Sequence, residues 1–132
     1  MSDDVRMDYR PLGDSGLMVS AVGIGCNAFS RRVDLAGVRG ILDAATDVGV
    51  TLLDTADIYG DPAGGSEELM GEALRGRRDD FVLATKLGGS MRGLYGDDHG
   101  VRASRRYVRR AVEESLRRLD RRATSDTSHY GT

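Results

Sequence analysis

The chain has 132 residues, 39% of them apolar and 30% charged, with a formal net charge of −2 at pH 7. That composition suits one folded domain rather than a disordered or membrane chain, and it supplies no global field to recruit nucleic acid or an anionic membrane. No apolar run approaches the roughly 18 residues of a membrane span; the lone Cys26 cannot form an internal disulfide, and the acidic Met1-Ser2-Asp3-Asp4 start lacks an apolar signal core, so a cytoplasmic location is expected.

Tyr9 to Ser20 reads as a hairpin, because Gly13-Asp14-Ser15-Gly16 are turn formers between two short runs. Ala21-Val22-Gly23-Ile24-Gly25 is a short apolar strand. Asp34 can cap a helix whose apolar positions are Leu35, Val38, Ile41, Leu42 and Ala45, with Gly49 as its stop. Val50-Thr51-Leu52-Leu53 is a continuous apolar run ending at Asp54, the pattern of a parallel strand covered on both faces. Ser66 can cap a second helix, with Glu67 and Glu68 at its positive end, Leu69, Met70, Ala73 and Leu74 as its buried face, and Gly76 as its end. Phe81 to Thr85 is a third buried-type strand, ending at Lys86.

Leu87 to Ala103 holds five glycines and no periodic pattern, and a loop of that length is usually functional or mobile. Ser104 can cap a third helix with Tyr107, Val108, Ala111, Val112, Ser115, Leu116 and Leu119 on one side. Residues 120–132 contain no Val, Ile, Leu, Phe or Met, so a disordered tail is expected there. The eighteen glycines, against only two prolines, fall largely at strand ends, helix ends and the long loop.

Strand and helix alternate three times, which predicts right-handed βαβ units and a parallel sheet. An open doubly wound sheet and a (β/α)8 barrel share that order. A complete barrel needs roughly 250 residues, so only part of one fits here.

Asp54 and Lys86 directly follow buried-type strands, and Tyr59 lies five residues past Asp54. Polar residues at the carboxyl ends of parallel strands face the ligand side, so topology brings the three to one rim. A tyrosine is a poor proton donor near neutral pH because its pKa lies near ~10. A lysine cation beside it stabilises the phenolate, and an aspartate keeps that lysine charged. The trio suits proton donation to a carbonyl that receives hydride from elsewhere. The plainer reading is that a strand-end Asp caps a turn and a strand-end Lys reaches into solvent; spacing alone does not decide between them.

Leu52-Leu53-Asp54-Thr55-Ala56-Asp57-Ile58-Tyr59-Gly60 closely resembles the Asp-Thr-Ala-x-x-Tyr-Gly signature of aldo-keto reductases. Ser66-Glu67-Glu68 with Met70-Gly71-Glu72-Ala73-Leu74 continues that pattern. Ala84-Thr85-Lys86 looks like the strand that ends in the family's catalytic lysine, and the hairpin with Gly23-Ile24-Gly25-Cys26-Asn27 matches its opening. The resemblance runs from about Tyr9 to Leu119. It implies a hairpin (9–20) and the first three β/α units (21–119) of a (β/α)8 TIM barrel, together residues 1–119, with 120–132 departing from the pattern. It also implies reduction of a small aldehyde or ketone with NADPH. By the same resemblance Tyr59 is the proton donor, Lys86 its pKa-lowering partner and Asp54 the lysine's ion pair. Gly25, Cys26 and Asn27, with Asp54, match the nicotinamide side.

In the family an apolar strand follows the third helix and ends near a fourth catalytic residue, usually histidine. Here Asp120 to Ser128 carries no such strand, and His129 reads better as a tail histidine. The loss of pattern points to a truncated or frame-shifted gene. Most of the cofactor contacts would come from later strands, so the chain alone is expected to be inactive. The alternative is a non-catalytic remnant, or a module that self-associates through open sheet edges.

Three other signals point elsewhere. Gly23-x-Gly25-x-x-Ala28 fits a relaxed dinucleotide fingerprint, but Phe29 to Val33 separate it from the helix that should come at once. Nine arginines between Arg102 and Arg122 suggest nucleic acid; their spread around an amphipathic helix with Glu113 and Glu114 favours an outer barrel helix. His99 lies near Asp97 and Asp98, yet no second cluster completes a metal site.

Overall fold

In the computed structural model residues 6–119 are described. The hairpin forms as expected: β1 (Tyr9–Pro11) pairs antiparallel with β2 (Met18–Ser20), in the register Tyr9↔Ser20. Its side chains tie it to residues 49–51. The Tyr9 hydroxyl donates to Gly49 O at 2.7 Å, and Ser20 Oγ accepts the Thr51 N–H at 2.9 Å.

Three β/α units come next. They are β3 (Gly23–Gly25) with α1 (Leu35–Val48), β4 (Leu52–Asp54) with α2 (Gly65–Ala73), and β5 (Val82–Ala84) with α3 (Arg105–Leu119). A 3-10 turn at Arg78–Asp80 precedes β5. The strands form one parallel sheet in the order β3-β4-β5, with Gly25 level with Asp54 and Asp54 level with Ala84.

The caps of α1 are those the sequence predicts. Asp34 accepts the Gly37 N–H at 2.9 Å, and Gly49 stands at φ 84°, where a Cβ would be strained. The core lies between sheet and helices. Leu53 of β4 is fully buried against Val38 and Leu42 of α1 and Met70 of α2, and Leu74, Phe81 and Leu119 close the cluster.

Four details differ from the sequence reading. Among the described residues the strands are not covered on both faces: odd-numbered Leu53 turns to the helices, while Asp54 on the other face is exposed and Leu52, Val82 and Ala84 are half-buried. Apolar continuity reports the chemistry of a strand, not whether a second layer is present to cover it. The cap of α2 is Gly64, in left-handed backbone at φ 92°, rather than Ser66. Ser66 lies inside the helix because its hydroxyl is drawn to Cys26 O at 2.8 Å and Thr55 Oγ1 at 2.9 Å. That helix closes at Leu74, two residues before Gly76. Finally, Ser104 caps α3 as expected, its Oγ accepting the Tyr107 N–H, but the buried face of the helix is rotated. Tyr107, Ala111, Glu114, Ser115 and Leu119 are buried, while Val108, Val112 and Leu116 are exposed. The tail 120–132 and His129 lie outside the described residues.

Candidate active site

The carboxyl ends of β4 and β5 bring the three expected side chains together. Lys86 Nζ donates to Asp54 Oδ1 at 2.8 Å and to Thr55 O at 2.8 Å. The same ammonium stands 5.1 Å from the centre of the Tyr59 ring. Lys86 is the only lysine of the sequence, against eighteen arginines. Its compact ammonium fits a site where a flat guanidinium would not reproduce a point charge. Partial burial works against its charge, but the Asp54 hydrogen bond and carboxylate, joined by Tyr59, outweigh this and raise its pKa. Asp54 and Lys86 are each about half exposed (53% and 48% of the side chain), so the pair faces the open side of the sheet. Most of its coulombic attraction is screened there, and its value lies in orienting the lysine.

Backbone geometry fixes the segment that carries Tyr59. Thr55 N–H donates to Ala84 O at 2.8 Å and Asp57 N–H to Lys86 O at 3.0 Å, extending the ladder past the strands. After Tyr59 the chain turns at Gly60, with φ 108°. A Cβ there would lie 2.5 Å from Ser66 N, so only glycine lets this loop close onto α2.

At the end of β3, Gly25 and Asn27 are exposed, whereas Cys26 is fully buried. Cys26 N–H donates to Asp54 O at 2.9 Å, its C=O accepts from Ser66, and its thiol points back to Ile24 O at 3.5 Å. A molecule at this rim meets Gly25 and Asn27 rather than the Cys26 side chain. Burial pushes the Cys26 thiol up to about 12, leaving a thiolate fraction of about 10⁻⁴ at pH 8. Iodoacetamide at pH 8 is therefore expected to leave Cys26 unmodified in the folded chain and to label it in urea, read by mass spectrometry. Rapid labelling without denaturant would contradict this burial.

A second group of polar residues sits behind the rim, and the sequence reading assigned it no role. Glu67 is fully buried; one carboxylate oxygen accepts from Arg118 Nε at 2.8 Å and the other from Thr85 Oγ1 at 2.8 Å. Arg118, 7% exposed, also donates to the Tyr95 hydroxyl, which in turn donates to Asp57 Oδ2 at 3.2 Å. Asp57 is 1% exposed, and its Oδ1 has no hydrogen-bond partner among the described residues. Burial raises the pKa of Asp57, and the nearby Glu67 charge raises it further. Burial also pushes Tyr95 up to about 12, although Arg118 opposes this. In sequence Glu67 looks like a helix-dipole acid and Arg118 like one more surface arginine. The available signal for Glu67 was its place inside the Ser66-Glu67-Glu68 segment of the family resemblance.

His99 pairs only with Asp97, at 3.5 Å on the surface, and no metal-binding cluster of acids, His and Cys occurs among the described residues. Nor is any helix among them long and apolar enough to cross a membrane.

This arrangement of strands and helices matches known proteins. The profile of the Aldo/keto reductase family matches residues 21–126, and the chain belongs to that family. It is 40% identical over 117 residues to YqkF, an uncharacterized oxidoreductase of Bacillus subtilis, covering 86% of this chain and 35% of that protein. It is 35% identical over 119 residues to the L-glyceraldehyde 3-phosphate reductase of Escherichia coli, covering 86% of this chain and 34% of the reductase. A solved structure of a putative aldo-keto reductase from Pseudomonas aeruginosa superimposes with a TM-score of 0.69 at 40% identity. That match covers 84% of this chain and 41% of the other. The hairpin and three β/α units are thus part of an aldo-keto reductase fold, and the chain spans about a third of the length of these curated relatives.

Proposed function

We propose that the chain carries the acid–base part of an NADPH-dependent carbonyl reductase. The observation that supports this most directly is Lys86 Nζ at 2.8 Å from Asp54 and 5.1 Å from the Tyr59 ring, on the ends of adjacent parallel strands. Tyr59 gives its hydroxyl proton to the oxygen of an aldehyde or ketone. The Lys86 cation stabilises the phenolate left behind, and Asp54 holds the lysine charged and in place. When bound, NADPH supplies the hydride. Its nicotinamide suits the exposed end of β3, where Gly25 leaves open space: a Cβ there would meet nothing within 4 Å. Gly25 and Asn27 would line that ring, with Asp54 beside them.

The test places this site in a complete barrel. Residues 9–119 replace the corresponding segment of the E. coli L-glyceraldehyde 3-phosphate reductase, and NADPH-dependent reduction of its named substrate is followed. Tyr59→Phe in that chimera is expected to lower kcat by about 10²–10⁴, the usual worth of a positioned proton donor. Full activity of the Phe variant would refute the assignment. The 132-residue chain alone is expected to show no turnover above background; turnover dependent on Tyr59 would overturn that part.

The outer edges of β3 and β5, which pair with no further strand among the described residues, support a second reading, self-association. Sedimentation of the chain at several concentrations distinguishes it from a monomer.

A further inference from the structure

We propose that Tyr95 is a positioning residue for the Tyr59–Lys86 pair. Its hydroxyl closes a chain of hydrogen bonds, Asp57–Tyr95–Arg118–Glu67–Thr85, buried at Asp57 and Glu67 and ending at the exposed Thr85, whose two ends belong to the two segments that carry those side chains. The role rests on the proposed function of the rim.

The geometry is a clamp with an inner and an outer jaw. Asp57 lies two residues before Tyr59, and Thr85 directly precedes Lys86. On the rim side the two segments are joined by Lys86 Nζ to Thr55 O and by Asp57 N–H to Lys86 O. On the helix side they are joined through side chains alone. Thr85 is held by Glu67, Glu67 by Arg118, Arg118 by Tyr95, and Tyr95 by Asp57. Tyr95 comes from the long loop, which no strand or helix of the sheet holds in register. Two ring contacts place it instead: edge-on packing against Tyr107 at 5.8 Å and the Arg118 guanidinium at 5.6 Å.

Charge makes the link matter. The buried group contains two carboxylates, Asp57 and Glu67, but one guanidinium, Arg118. Arg118 spends its Nε on Glu67 and reaches Asp57 only through the Tyr95 hydroxyl. Without that hydroxyl the Asp57 carboxylate loses its side-chain donor while its other oxygen already has none. A buried carboxylate so deprived takes up a proton or shifts toward solvent, and either change acts on the short segment that leads from Asp57 to Tyr59. Small displacements of a positioned pair are what supporting residues exist to prevent.

The single lysine makes this measurable without turnover. In the chain labelled with ¹³C-lysine, the NMR titration of the Lys86 ε-carbon reports one ammonium and its immediate partners, Asp54 and Tyr59, with the Cys26 thiol behind them. Tyr95→Phe keeps both ring contacts and removes only the hydroxyl. It is expected to shift the Lys86 midpoint downward, although Tyr95 does not touch Lys86. Thr85→Val, which opens the other end of the chain of bonds, is expected to do the same. Leu94→Ala, at an exposed neighbour in the same loop, is expected to leave the midpoint in place. All titrations are compared over the pH range in which the helical circular dichroism is intact.

An unchanged midpoint in Tyr95→Phe and Thr85→Val overturns the positioning role. An equal shift in Leu94→Ala also overturns it, because the effect would then be general loosening of the loop. Asp54→Asn separates this from the site reading itself. If Asp54→Asn leaves Lys86 unmoved, the coupled rim of Asp54, Tyr59 and Lys86 fails. If it moves Lys86 and Tyr95→Phe does not, only the clamp fails.

Discussion

Gly71→Ala is expected to destabilise the chain by about 3 kcal/mol, at the upper end of the usual cost of overpacking. Gly71 sits inside α2, where alanine is intrinsically better than glycine by about 1 kcal/mol. Packing reverses that preference. A Cβ at Gly71 would lie 2.1 Å from Arg118 O and 2.7 Å from Leu119 O. Both are backbone atoms at the end of α3, so no side chain can swing away; the whole helix end must retreat, taking Arg118 from Glu67 and Leu119 from the core. Gly40 provides the control. It lies inside α1, exposed, and a Cβ there meets nothing within 4 Å. Gly40→Ala is therefore expected to stabilise by about 0.5–1 kcal/mol. Urea melts of the two variants should move in opposite directions. Stabilisation of both variants would show that propensity, not helix–helix contact, governs both sites.

Arg118→Met is expected to cost about 3–5 kcal/mol, the usual result of removing one partner of a buried ion pair. Its partner Glu67 is fully buried, and the loss would leave that carboxylate with Thr85 as its remaining side-chain donor. Methionine fills much of the space of the arginine stem, so the cost measured is chiefly that of the stranded charge. Adding Glu67→Gln removes the charge, and the double variant is expected to be more stable than Arg118→Met alone. Such a non-additive pair is the signature of a direct interaction. Equal or lower stability of the double variant would place the contribution of Arg118 elsewhere, in its contact with Tyr95.

Much of this molecule was legible in one dimension. The hairpin turn, the Asp34 and Gly49 ends of α1, the three strand–helix repeats and the Ser104 start of α3 all depend on residues within a few positions of one another. Local backbone preference and short capping bonds decide such features. The rim was legible for a related reason. Residues that directly follow parallel strands share one end of the sheet, so Asp54 and Lys86 meet although 32 residues separate them.

What sequence alone determined, then, is the order of elements, the family signature and the end of the sheet at which its polar residues gather. The tertiary structure decided which side of each element is covered. It opened one face of the sheet, rotated the buried side of α3 past Val108, Val112 and Leu116, and put Ser66 to work inside α2 rather than at its cap. It also joined Glu67 and Arg118, both charged, into one buried pair with the half-buried Tyr95 against it, although Glu67 and Arg118 lie 51 positions apart. Burial depends on distant neighbours. A charged side chain leaves water only where another part of the chain brings it a partner, and no local pattern records which part that will be.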